Sequence, residues 1–116
     1  MEIVKFLNIR PNLNVKDLTA SVDFYNKIIG LSILHFDEQM GFALLAKQGA
    51  EVALLQQKEF SPTGAYLYVN DVDKFYLHCK KLDVEISNEL TEHPHGTKDF
   101  VISDPDGNQI AIGERI

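Results

Sequence analysis

The chain repeats itself, and the repeat limits what it can fold into. Leu13-Asn14-Val15-Lys16-Asp17-Leu18 is matched by Leu67-Tyr68-Val69-Asn70-Asp71-Val72 at an offset of 54 residues, and Gly30-Leu31-Ser32-Ile33 by Asp83-Val84-Glu85-Ile86 at an offset of 53. In each copy an extended apolar run leads to an aspartate able to cap the first free amides of a helix. The helical stretch then gives way to a further extended run. A near-constant offset between elements of the same order means two similar supersecondary units, neither able to cover its sheet face alone. A chain of 116 residues has room for both units around one core. One domain is expected over residues 1–116, with a first module of about 1–58 and a second of about 64–116.

From Val4 to Val15 the pattern is extended, with Ile9, Pro11, Leu13 and Val15 on one parity and Arg10, Asn12 and Asn14 on the other. Such alternation fits a half-buried strand, and Pro11 places it at an edge or an irregularity. Asp17 or Thr19 opens a helix whose stripe includes Val22, Tyr25 and Ile29, and Gly30 stops it. Strands over 31–36, 42–46 and 51–56 follow. The second module restarts with a strand over 65–69 and a helix capped by Asp71, its stripe being Val72, Phe75, Cys79 and Leu82. A short strand over 84–86 and a polar loop to about Lys98 then lead into a hairpin. Its arms are Phe100-Val101-Ile102 and Ile110-Ala111-Ile112, joined by Asp104-Pro105-Asp106-Gly107-Asn108. Pro105 presets φ, Asp104 can accept from the backbone ahead of it, and Gly107 supplies the positive φ that closes the turn. The class is α+β, as two tandem βαβββ modules.

A net charge of −6 without a Lys/Arg cluster argues against a nucleic-acid partner, because phosphate neutralisation needs clustered cations. Cys79 is the only cysteine, so neither an intrachain disulfide nor a cysteine-based zinc site can form. On the apolar stripe of the second helix it reads as a small buried hydrophobe rather than a nucleophile. The start lacks the basic and apolar regions of a signal peptide, and no apolar stretch approaches the about 20 residues of a membrane span. A cytoplasmic location with no membrane partner is expected.

Three segments carry a resemblance: Leu13-x-Val15-x-Asp17-Leu18; Ser21-Val22-x-Phe24-Tyr25-x-x-x-Ile29-Gly30-Leu31; and Gly96-Thr97-Lys98-Asp99-Phe100 leading to Asp104-Pro105-Asp106-Gly107-Asn108. In order and spacing they resemble the vicinal oxygen chelate superfamily, which includes glyoxalase I, extradiol dioxygenases and the bleomycin- and fosfomycin-resistance proteins. The resemblance implies curved mixed sheets around a cavity, the glyoxalase/bleomycin resistance fold, and usually a homodimer that completes two such cavities. Metalloenzymes of the superfamily hold one divalent ion with four side chains. By position, these ligands fall here on Arg10, Gly64, Ala111 and, on the strand over 51–57, Leu54, with Gln56 the polar exception. Arginine has no acceptor, and leucine, glycine and alanine offer nothing to coordinate. No metal cofactor is expected at that set.

The same parity turns Arg10, Asn12, Asn14, Tyr66 and Tyr68 toward the cavity, with Phe42, Gln56 and Gln109 as further lining. Arg10 either pairs with a nearby carboxylate or grips an anionic or carbonyl-bearing ligand where the metal would have sat; the tyrosines offer flat faces and hydroxyls. His93-Pro94-His95 is the one close histidine pair, and a metal site there would need Glu92 or Asp99 as a third ligand. His35 and His78 read as ordinary strand and helix residues. The expected function is metal-free binding of a small polar or aromatic molecule in a dimer-formed cavity, similar to the bleomycin-resistance branch. The alternatives are a glyoxalase-type lyase or isomerase with a displaced metal on Gln56, His93 or His95, and a structural or regulatory dimer.

Overall fold

The computed structural model describes residues 3–116. The first module comprises β1 (Asn12–Val15), α1 (Leu18–Phe24), a π-helical turn over Tyr25–Ile29, β2 (Ser32–Asp37), β3 (Phe42–Lys47) and β4 (Ala50–Gln56). The second comprises β5 (Gly64–Tyr68), α2 (Val72–Lys81), β6 (Ile86–His93), β7 (Thr97–Ser103) and β8 (Gln109–Arg115). Each module forms a four-stranded mixed sheet, in the orders β1-β4-β3-β2 and β5-β8-β7-β6, with β1 parallel to β4 and β5 parallel to β8. The twofold repeat in the sequence is thus a twofold repeat in topology. Among the described residues no helix is long and apolar enough to cross a membrane.

Both helices start where the aspartates predict. Asp17 accepts from the Ala20 amide at 3.1 Å and Asp71 from the Lys74 amide at 3.1 Å. A second side chain serves each helix start from across its sheet: Gln56 accepts from the Leu18 amide at 2.9 Å and Glu114 from the Val72 amide at 3.0 Å. Each helix covers one face of its own sheet. Leu13, Val15, Ala43, Leu45 and Leu54 meet Leu18, Val22 and Tyr25 on one side, and Phe100, Ile102, Ile110 and Ile112 meet Val72 and Cys79 on the other. These residues form one continuous buried cluster.

The Asp104–Asn108 turn is the hub that joins the modules. Asp104 Oδ1 accepts from the amides of Asp106 and Asn108 at 2.9 and 2.8 Å, the forward bonding that the sequence predicts. Its Oδ2 accepts from the Tyr25 hydroxyl of the first module at 2.8 Å and from Asn108 Nδ2 at 2.9 Å. Asn108 Nδ2 also donates to the Asn14 carbonyl of β1, and Asn108 Oδ1 accepts from the Thr63 amide. Burial and the adjacent Asp104 carboxylate push the Tyr25 phenol well above its ordinary pKa. Asp104 and Asn108 are buried, so this turn is an internal polar network with all its groups partnered.

Three expected boundaries move. The extended pattern from Val4 becomes a strand only at Asn12: the Pro11 carbonyl accepts from the Ala53 amide of β4 at 3.0 Å, and before it residues 4–10 pair with no strand. The polar loop before Lys98 is instead β6, an edge strand largely open to water, whose polar residues hide its alternation. The short strand over 84–86 shrinks to the start of that element.

Candidate functional site

Each sheet has one face against its helix and one face that no helix covers. In the first sheet, Leu13, Leu54 and Ala43 lie in register on the helix face, and Asn12, Ala53 and Leu44 on the open face. Asn14 and Phe42 follow Asn12, each opposite Leu55. At one end of this face Arg10 Nη1 lies 3.7 Å from Glu51 Oε2, with the two side chains 36% and 28% exposed. An ion pair this open contributes at most about 1 kcal/mol, yet it gives Arg10 a carboxylate partner already.

The open face of the second sheet is more elaborate. Tyr66 and Tyr68, alternate residues of β5, hold their rings 4.7 Å apart at a tilt of 44°. The Arg115 guanidinium lies over Tyr68, 3.9 Å from the ring centroid. Tyr66 and Tyr68 are 40% and 48% exposed. They form a shelf with a wet upper surface. Across β8, Asp99 Oδ2 accepts from the Tyr66 hydroxyl at 2.7 Å and Asp99 Oδ1 pairs with His93 Nε2 at 2.7 Å. Burial alone would raise the Asp99 carboxyl; the hydrogen bonds from Tyr66 and His93, with the charge of His93 and His95, hold it below the ordinary aspartate value. Burial first, then the bond to Asp99 and its charge, push the Tyr66 phenol up to about 12. Gly113 makes the bridge between them feasible, since a Cβ there would run into the Tyr66 hydroxyl and ring and lie 2.9 Å from Asp99 Cβ.

The sequence profile of the Glyoxalase/Bleomycin resistance protein/Dioxygenase superfamily matches residues 9–112, nearly the whole chain. The chain belongs to that superfamily. A bleomycin resistance protein of Geobacillus stearothermophilus is 28% identical over 127 residues, covering 91% of this chain and 95% of the relative. Two solved structures superpose with the same TM-score of 0.81. One is a lactoylglutathione lyase of Agrobacterium tumefaciens, at 19% identity over 91% of both chains. The other is a bleomycin-binding protein of Streptomyces verticillus complexed with copper(II)-bleomycin, at 23% identity over 95% of this chain and 97% of that one. A lyase and a binding protein fit equally well. The superfamily fold therefore does not choose between them, and the side chains must.

The superfamily's ligand positions are distributed here as follows. Arg10 is paired with Glu51. Leu54 is fully buried on the helix face, opposite Leu13, and Gln56 lies on that same face as a helix-cap acceptor. Both were expected to face the cavity; the open-face parity of β4 is instead Glu51, Ala53 and Leu55. Position 64 admits no side chain, because a Cβ on Gly64 would collide with the Gln109 carbonyl oxygen. Ala111 lies on the open face opposite Tyr66. Among the described residues no group of three or more His, Cys, Asp or Glu side chains is placed to hold a metal ion. The His93 and His95 rings stack at 5.2 Å and 11°, and His95 Nε2 pairs with Thr97 Oγ1 at 2.7 Å. Parallel rings direct their in-plane lone pairs side by side, not toward one point. Gln109 lies at the foot of the shelf, its amide engaged by Ser87 at 2.6 Å and Ser103 at 2.6 Å. Asp99, named in the sequence only as a third metal ligand, instead anchors Tyr66. Arg115 was missed; carrying the parity of Gln109, Ala111 and Gly113 two residues further along β8 would have found it.

Proposed function

We propose that this chain is a metal-free binding protein for a small planar molecule bearing an anionic or carbonyl group. The shelf of Tyr66 and Tyr68 under Arg115 is the observation that carries this reading. Two exposed rings offer stacking area at little entropic cost, since each has few side-chain torsions to freeze. Arg115 stacks on one ring and has no carboxylate within salt-bridge distance among the described residues, so its donors are free for a ligand oxygen. Asn12, Asn14, Phe42 and Arg10 on the other sheet's open face supply polar and apolar contacts. Both faces are open in a single chain, and a second copy that sets one against the other encloses the ligand.

Calorimetric titration with two probes tests this: bleomycin, after the Streptomyces verticillus neighbour, and the planar aromatic anion naphthalene-1-sulfonate. Arg115→Ala and Tyr68→Ala should each weaken binding by about tenfold or more, as expected for loss of a stacked or charge-assisted contact. Arg10→Ala should change it by less than about threefold, because Glu51 already shields that cation. Uptake of neither probe, or equal affinity in wild type and Arg115→Ala, overturns the reading. The metal-dependent lyase, with a displaced ion on Gln56, His93 or His95, is less favoured by the geometry: Gln56 lies on the helix face of the other sheet, and among the described residues no group of three or more His, Cys, Asp or Glu side chains is placed to hold an ion. A stoichiometric divalent ion in protein purified without chelators would decide for that enzyme instead.

A further inference from the structure

We infer that Asp99, braced by His93, is a positioning residue that makes the site select flat anions over globular ones. It does so by laying the Tyr66 ring down, so that a ligand meets the face of the ring. The inference rests on the shelf of Tyr66, Tyr68 and Arg115 being the binding surface, and it names the residues that give that surface its shape.

A strand side chain ordinarily stands roughly perpendicular to its sheet. Tyr66 does not. It starts on β5 opposite Ala111 of β8, yet its hydroxyl donates to Asp99 Oδ2 at 2.7 Å. Asp99 belongs to β7, on the far side of β8. The ring therefore crosses the middle strand, and it passes over Gly113, the residue opposite Asp99, where a Cβ would run into it. An upright tyrosine would offer a ligand its edge and hydroxyl; one lying across the sheet offers a face. Tyr66 is 40% exposed although its hydroxyl is engaged, so the ring is the part left open. A ring face favours a flat partner, which keeps many atoms in contact at once, over a globular one, which touches with few.

The bond from Tyr66 holds the ring only if the carboxylate itself is fixed, and it is held at both oxygens. Oδ2 takes the Tyr66 hydroxyl while Oδ1 takes His93 Nε2, each at 2.7 Å. An ionised carboxylate has no proton to donate, so both bonds run toward Asp99, and turning the carboxylate would break one of them. His93 is in turn stacked on His95, and His95 Nε2 pairs with the hydroxyl of the buried Thr97 at 2.7 Å. Support thus runs from Thr97 through two imidazoles to Asp99 and ends at the Tyr66 ring. The Asp99 side chain is only 16% exposed, covered by the groups it binds, so it acts on a ligand through Tyr66 rather than by touching it. A ring fixed before the ligand arrives spares binding the entropy of ordering it.

Calorimetric titration of the full chain with naphthalene-1-sulfonate and camphorsulfonate tests this. The probes carry the same sulfonate charge on the same number of carbons, one flat and one globular. The wild type should bind the flat anion at least about tenfold more tightly. Asp99→Ala should cut that preference to below about threefold, chiefly by weakening the flat probe. Asp99→Asn, whose carbonyl still accepts from Tyr66, should keep it. Tyr66→Phe retains the ring without the bond and should behave like Asp99→Ala. Arg115→Ala should weaken both probes alike and leave their ratio in place, which separates the shelf from its bracing. Three results overturn the inference while leaving the Arg115 site standing: equal affinity for both probes in the wild type, a ratio unmoved by Asp99→Ala and Tyr66→Phe, or a loss in Asp99→Asn as large as in Asp99→Ala. Binding of neither probe removes that site and the inference with it.

Discussion

Asn108→Ala tests whether the Asp104–Asn108 turn joins the modules energetically as well as geometrically. The side chain is fully buried. It donates to the Asn14 carbonyl at 2.9 Å and to Asp104 Oδ2 at 2.9 Å, and it accepts from the Thr63 amide at 2.8 Å. Alanine removes all three bonds at once. Each contributes about 1 kcal/mol net, and each buried partner left unpaired costs about 1–3 kcal/mol more. The partners are not equally stranded. The Thr63 amide lies on an exposed connector and can turn to water. Asp104 keeps Tyr25 and two backbone amides. Only the Asn14 carbonyl loses its partner beneath the turn, so the expected loss is about 4–6 kcal/mol, out of a total that is typically about 5–15 kcal/mol. For a domain of this size that is roughly 15–25 °C in Tm. Urea unfolding followed by circular dichroism measures it, provided the m-value is unchanged. Asn108→Asp keeps the shape but sets a second carboxylate against Asp104. Its loss should exceed that of alanine at neutral pH and shrink as the pH falls toward about 4, where carboxylates take up protons. A loss below about 1 kcal/mol for Asn108→Ala would mean that apolar packing alone joins the modules, and the hub argument would be wrong.

Two further outcomes follow from the site and the core. Gly113→Ala should displace the Tyr66 ring from Asp99, returning its phenol from about 12 toward the ordinary tyrosine value of about 10; alkaline ultraviolet titration reads this. A phenol pKa raised on folding contributes stability that is complete below about pH 10 and lost as the pH rises through about 12. The variant should therefore lose less stability over that range, and an unchanged titration would refute the contact. Burial alone raises the Cys79 thiol to about 11, so Ellman's reagent should leave the native protein unlabelled and react fully in denaturing urea; rapid native labelling would place Cys79 outside the core.

The parts of the fold that the sequence reveals are those whose signal is local. Asp17 and Asp71 announce their helices because capping is settled within three residues, and the Asp104–Asn108 turn announces itself through Pro105 and Gly107. The apolar run over Val52–Leu55 has no such signal. Ala53 and Leu54 are neighbours on opposite faces, and both are fully buried, so the alternation that would show which faces the cavity is absent. That is why Gln56 was placed on the wrong face and Glu51 overlooked. The edge strand β6 fails for the opposite reason: it is mostly exposed, and its polar residues read as a loop. Tyr66 and Tyr68 were found by parity, whereas their partners Asp99 and Arg115 belong to β7 and β8 and meet them only through register.

The four positions onto which the resemblance places metal ligands differ in what they could hold. Arg10 and Ala111 lie on open faces, where a substitution can supply a donor. Gly64 shares the open face of Tyr66 and Tyr68, but any side chain there meets the Gln109 carbonyl, which is fixed by the β5–β8 ladder. Position 54 points into the core beneath α1, opposite Leu13, so a donor from β4 would have to stand at 51, 53 or 55 to face the cavity. Restoring a donor at 64 requires moving a strand as well as changing a side chain. The close β5–β8 approach that excludes a side chain at 64 belongs to the same ladder that sets Tyr66 opposite Ala111 and Tyr68 opposite Gly113. Small residues at 111 and 113 leave the floor on which Tyr66 lies down toward Asp99, and Arg115 closes over Tyr68 from the next position along. The geometry that removes a ligand position is the one that lays out the aromatic shelf.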